Sequence, residues 1–161
     1  MLKRHELDKR PIDMHSVVRE SVALVAHDAA ARHVHIDARL PSAPALVMGD
    51  QVLLQQVVVN LLINAMDAMS DTAAANRRVT VQNAAAADIV EVSVRDAGPG
   101  LSAEVDGRIF EAFVTTKADG IGIGLTIARS IISAHDGVIE ARNNPEGGAT
   151  FRFMLPRYVH Q

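Results

Sequence analysis

Two alternating stretches follow one another directly: "RRVTVQNA" over residues 77–84 and "DIVEVSVRD" over 88–96. In each, apolar and polar residues take turns, the pattern of a strand with one face buried. Only an alanine-rich turn around 84–87 separates them. A second pair, "GVIEARN" and "ATFRFML", is joined by "NPEGG" and reads as a hairpin. Neighbouring strands of this kind rule out strict strand–helix–strand alternation and its parallel sheet. Helical patterns occupy "HSVVRESVALVAHDAAARH" (15–33), a long stretch over 51–70 and a third over 122–135. "VHIDARL" and "ALVMGD" add two short strands, and Asp50 stands where it would cap the long helix. The expected class is α+β: a two-layer sandwich with a mixed, mostly antiparallel sheet covered on one face by helices.

A chain of 161 residues, 48% apolar, has enough material for one domain with a core. Its net charge of −3 and lack of a basic stripe exclude nucleic acid as the expected partner. With no cysteine, disulfides and thiolate metal sites are excluded. The greasiest run, "VLLQQVVVNLLINAMDAM", is interrupted by Gln and Asn and is not a membrane span. Residues 1–11, charged and closed by Pro11, read as a linker or the remnant of a preceding element. The domain is expected over 12–156, with a tail at 157–161.

Chemistry concentrates in three places. "DGIGIGL" sets Gly120, Gly122 and Gly124 on alternate positions where a helix begins. Helix starts attract anions, and glycines let backbone approach phosphate oxygens. A plain glycine turn explains the loop equally well. On the long helix, Gln56, Asn60, Asn64 and Asp67 share one face, opposite Leu54, Val57, Val58, Leu61, Leu62, Ala65 and Met69. A solvated face is usually built from Lys, Glu and Arg. Asn is a poor helix former, and two carboxamides one turn apart suit a hard cation such as Mg²⁺ with water and phosphate oxygens. Third, "VRDAGPG" ends a strand in an acid that only accepts hydrogen bonds, as an exocyclic amine would require. Taken alone, a simple turn is the better reading of it. "GPGLSA" (98–103) imitates a dinucleotide fingerprint, but no long apolar helix follows it and no strand–helix–strand unit surrounds it. There is no Gly-Lys dipeptide, hence no P-loop.

In order and spacing, these pieces resemble the catalytic, ATP-binding domain of bacterial sensor histidine kinases, which has the Bergerat fold of gyrase, heat-shock chaperone and mismatch-repair ATPases. The resemblance runs over about residues 12–156. "NLLINAMDAM" is similar to the family's N box, "DAGPG" to its first glycine box, "IFEAFVTTK" to its F box with Phe110 and Phe113, "GIGIGL" to its second glycine box and "GGATF" to its last. The resemblance implies Mg²⁺ on Asn64, assisted by Asn60. It implies the adenine amine on Asp96 and a pocket floor at Gly98 and Gly100. The terminal phosphates would lie on Lys117, the only lysine after residue 10. Thr115, Thr116 and Asp67 would lie close to the nucleotide. Gly120, Gly122 and Gly124, with a helix start at Leu125, would cradle the phosphates, and Thr150 would lie near the adenine. Asn60 and Lys117 would be the catalytic pair. Ala112 and Val114 depart from the F-box pattern, which implies a looser lid. Relatives that hydrolyse ATP carry a glutamate where Asn60 stands. Asn cannot activate water in that way, so transfer to a side chain is favoured over hydrolysis. An ATPase, or a serine/threonine kinase of the same fold, is the alternative.

The implied cofactors are ATP and Mg²⁺. The implied partners are a dimerisation domain carrying the phosphoacceptor histidine and, downstream, a response regulator. The expected location is the cytoplasm, without membrane contact by this part of the chain. "HEL" at 5–7 mimics a phosphoacceptor start, but "DKRP" ends any helix within a turn. The acceptor is therefore expected on a separate hairpin, and the chain alone is expected to transfer phosphate poorly. His15, His27, His33, His35, His135 and His160 lack the spacing of paired metal ligands and are expected on the surface or in the core.

Overall fold

Alternation decides which sheet face is covered. The computed structural model describes residues 7–41, 43–101 and 121–159, with backbone alone for 121–124. Within these, Val79 and Val81 of strand β4 (Arg78–Ala85) are buried, as are Val90, Val92 and Val94 of β5 (Ile89–Arg95). Phe151, Phe153 and Leu155 of β7 (Ala149–Pro156) join them. The registers Val81↔Val94↔Phe151 and Val92↔Phe153 put these residues in rows on one face. The opposite face carries Arg95, Arg152, Glu91 and Glu140, with Arg152 about 3.3 Å from Glu140. β6 (Val138–Asn143) lies outside β7, and β2 (His35–Arg39) pairs β4 in parallel, giving the order β2-β4-β5-β7-β6. All other pairings in that sheet are antiparallel.

Among the described residues three helices cover the apolar face: α1 (Met14–Ala31), α2 (Gln51–Ala68) and α3 (Ile121–Ala134). From α2 come Leu54, Val57, Val58, Leu61, Leu62 and Ala65, and from α3 Leu125, Ala128, Ile131 and Ile132, all fully buried or nearly so. Burying each larger side chain of this kind contributes about 1.5–3 kcal/mol. The result is the expected two-layer α+β sandwich. No described helix is long and apolar enough to cross a membrane.

The sequence reading of 1–11 as linker stops short of what forms. Arg10–Asp13 is strand β1, paired antiparallel with β3 (Leu46–Gly49) in a separate two-stranded sheet. Pro11 is tolerated because a two-stranded ribbon has only edge strands. Asp13 then caps α1, accepting from His15 N at 3.0 Å and from Ala45 N at 3.1 Å. Tyr158 N also reaches Leu46 O, so residues expected as tail are tied to β3.

Asp50 joins three elements. Its Oδ1 accepts from Leu53 N at the start of α2, and its Oδ2 from Asp8 N. Its own N–H donates to His135 Nε2 at 3.0 Å, just past the end of α3. His135 Nδ1 donates to Ile131 O at 2.8 Å, which fixes the neutral tautomer. Burial pushes the His135 pKa down, and Lys9 adds to this. The Ile131 carbonyl, Asp50 and Asp136 oppose it. An unfolded histidine takes its proton near pH 6.5. The folded chain resists until lower pH, so this contribution is whole above that value and is lost as pH falls below it. Urea unfolding at stepped pH should show stability declining from about pH 7 toward 5.5. His135→Gln should be less stable than the parent at neutral pH and should show a shallower decline.

Candidate functional site

The N-capped helix α2 presents the polar stripe to one side of the core. Asn60, Asn64 and Asp67 are half-buried there, and Gln56 is exposed. The C-terminal end of the helix is firmly tied. Arg77 donates to Thr72 O at 2.8 Å, Arg32 O at 2.8 Å and Ser70 O at 3.1 Å, one carbonyl for each nitrogen. Asp67 is held by Arg32, whose Nη1 donates to its Oδ1 at 2.7 Å.

Asp96 follows β5 and is 3% exposed. Its Oδ1 accepts from Gly98 N at 2.9 Å and Ala149 N at 3.3 Å, while its own N–H donates to Ala149 O. Burial pushes its pKa up against those two stabilising bonds. Among the described residues both of these bonds fall on Oδ1, so Oδ2 is the oxygen that can meet an incoming donor. Gly98 rests against the end of α2: a Cβ there would sit 2.7 Å from Ala68 O. Gly148 has φ 81, and a Cβ on it would overlap the Asp96 carbonyl oxygen. These two glycines let the acid-bearing turn lie directly on the carboxamide helix and on the β6–β7 turn. Gly100, at φ 88, leads to Leu101, whose N–H and C=O are both taken by the Asn143 side chain, at 2.6 and 3.1 Å.

Ala149, not Thr150, lies beside the Asp96 carboxylate. Strand side chains alternate, so Thr150 pairs across with Arg95 and Arg142 on the other sheet face. Its hydroxyl donates to Asn144 Oδ1 at 2.5 Å. Among the described residues α3 runs from Ile121, in keeping with the helical pattern over 122–135, and the Leu125 side chain is buried in it. Gly122 and Gly124 lie in its first described turn. Gly120, Thr115, Thr116 and Lys117 lie outside the described residues, as do Phe110, Phe113, Ala112, Val114, His5 and His160.

The donor set fits a magnesium nucleotide. Carboxamide oxygens are hard ligands, and the described residues hold no cluster of three or more His, Cys, Asp or Glu suited to a metal. The buried carboxylate supplies an acceptor for a purine amine. A cavity of about 430 Å³ between Arg39, Leu40, Gln82 and Ser93 lies by the polar sheet face and is not part of this arrangement.

Residues 49–159 match the model of the histidine kinase-, DNA gyrase B- and HSP90-like ATPase family. This chain belongs to that family. It is a catalytic ATP-binding domain of the sensor histidine kinase type. The sensor protein FixL of Bradyrhizobium diazoefficiens is 42% identical over 154 residues, 95% of this chain and 30% of that protein. The sensor histidine kinase TmoS of Ectopseudomonas mendocina is 33% identical over 157 residues, 96% of this chain and 16% of that protein. The chain thus spans less than a third of either relative. In three dimensions it is similar to the nucleotide-free catalytic domain of histidine kinase ThkA. The TM-score is 0.81 at 27% identity, covering 93% of this chain and 96% of that one. Full-length ShkA in complex with AMPPNP gives 0.81 at 29% identity, covering 96% and 32%.

Three residues of the family domain escaped the sequence reading. Arg32 lies 35 positions from Asp67 and Arg77 lies 45 from the Arg32 carbonyl, and nothing in their spacing announces either contact. Asn143 was legible only as part of a hairpin strand.

Proposed function

We propose that this chain binds Mg-ATP and presents the γ-phosphate to a histidine on a separate phosphoacceptor domain. The observation that carries the reading is the buried Asp96 carboxylate, seated against the end of the helix that bears Asn60 and Asn64. Asp96 accepts the adenine amine. Gly98 and Gly100 floor the pocket. Asn64 holds Mg²⁺, Asn60 assists toward the phosphates, and Asp67 borders them. Thr115, Thr116, Lys117, Gly120, Gly122 and Gly124 complete the phosphate side. Bound magnesium supplies charge neutralisation on the phosphate oxygens.

The imidazole nitrogen bonds to the γ-phosphorus as the bond from that phosphorus to the β–γ bridging oxygen breaks, and ADP leaves. Positioning and charge supply most of such a rate, so the domain needs no covalent chemistry of its own. The phosphoryl group then passes to an aspartate of a response regulator. ThkA, a similar kinase, is known in complex with the response regulator protein TrrA, in keeping with that step. Asn60 cannot serve as a water-activating base, which favours transfer over hydrolysis. Alone, the chain binds nucleotide and transfers phosphate slowly or not at all.

Calorimetric titration with a non-hydrolysable ATP analogue tests this. Binding is expected, and it should weaken when Mg²⁺ is withheld. Absence of binding at millimolar analogue to folded protein would overturn the reading.

A further inference from the structure

Helices α1 and α2 run side by side in the same direction. Gln51 meets Glu20 near their starts, and Arg32 meets Asp67 at their ends. Parallel helices bring two negative dipole ends together. Asp28 and Asp67 add two carboxylates there, and neither helix has a basic residue in its last turn. Asp67 is also three residues from Asn64, on the face proposed above for magnesium and phosphate. A carboxylate at that point opposes the approach of a polyanion.

Among the described residues two arginines face this charge, and they act differently. Arg77 uses all three nitrogens on backbone carbonyls and stitches the chain after α2 to the end of α1. Arg32, the residue just past α1, directs its guanidinium to the acids. Nη1 donates to Asp67 Oδ1 at 2.7 Å and Nε to Asp28 Oδ1 at 3.1 Å. Both are charge-assisted bonds, and the pair is only partly exposed, with Arg32 at 35% and Asp67 at 26%, so water screens it incompletely.

We infer that Arg32 is a positioning residue for nucleotide: by neutralising Asp67 and holding it toward α1, it opens the Asn60–Asn64 face to a triphosphate. The inference rests on the reading that this face binds Mg-ATP.

The test is nucleotide titration of the whole chain and its variants, with melting curves alongside. Arg32→Met should weaken Mg-ATP binding on the order of tenfold at low salt, less at high salt, and leave adenosine binding unchanged. Arg32→Lys should recover much of the loss. Arg32→Met combined with Asp67→Asn should restore binding, because the carboxylate that Arg32 pairs with is then neutral. Asp67→Asn alone should bind ATP at least as well as the parent. This variant, with Arg32→Lys, carries the test should Arg32→Met fail to fold. Unchanged ATP affinity in Arg32→Met overturns the inference. So does an equal loss for adenosine and ATP, a double variant that stays weak, or an Asp67→Asn variant that binds ATP less well. If the parent itself binds no nucleotide, it is the reading of the site that fails.

Discussion

Asp96→Asn should weaken adenine-nucleotide binding on the order of a hundredfold and leave the domain as stable as the parent or more so. The two halves of this result have one cause. The Asp96 Oδ1 takes two backbone N–H groups, from Gly98 and Ala149. In the variant the amide oxygen must stay on those donors, which turns its NH₂ group toward the ligand. A donor then faces the adenine amine, itself a donor. The lost bond to a charged acceptor is worth about 1.5–3 kcal/mol, and the opposed donors add to it. Stability moves the other way. Burial raises the Asp96 pKa above that of an unfolded aspartate, near 3.9. A raised carboxylate pKa stabilises the fold below the unfolded value, and that contribution is lost as pH rises through the folded one. At neutral pH the buried charge therefore disfavours folding, and the neutral amide removes it. Titration and melting at pH 7 read both halves. A variant that binds ATP as the parent does would remove Asp96 from the site.

Asn64→Ala should abolish the magnesium-dependent part of ATP binding, on the order of a hundredfold, while parent and variant bind equally without the metal. The helix itself gains slightly, because Ala is the better helix former. Melting should therefore be unchanged or raised by a few degrees, which separates a lost ligand from a lost fold. Titrations in magnesium and in chelator make the comparison. A magnesium response surviving intact in the variant would move the metal elsewhere.

Much of this domain was legible because the periods are clean. The β4–β5 and β6–β7 pairs alternate without interruption, and α2 buries on one side every residue that its pattern assigned there. The carboxamide stripe was readable because Asn is costly in a helix interior without a purpose. What failed depended on geometry at single residues. Pro11 read as a stop, yet a two-stranded ribbon accepts it. The Arg32–Asp67 bond spans 35 positions and has no local signature.

The contact between Gly98 and the last carbonyl of α2 has one more consequence. It is main chain against main chain, with no rotamer to adjust. The backbone separation between the Asp96 turn and the end of α2 is therefore a fixed gauge. Drift in the aliphatic interior can soften the domain, but recalibrating that gauge requires moving the backbone itself.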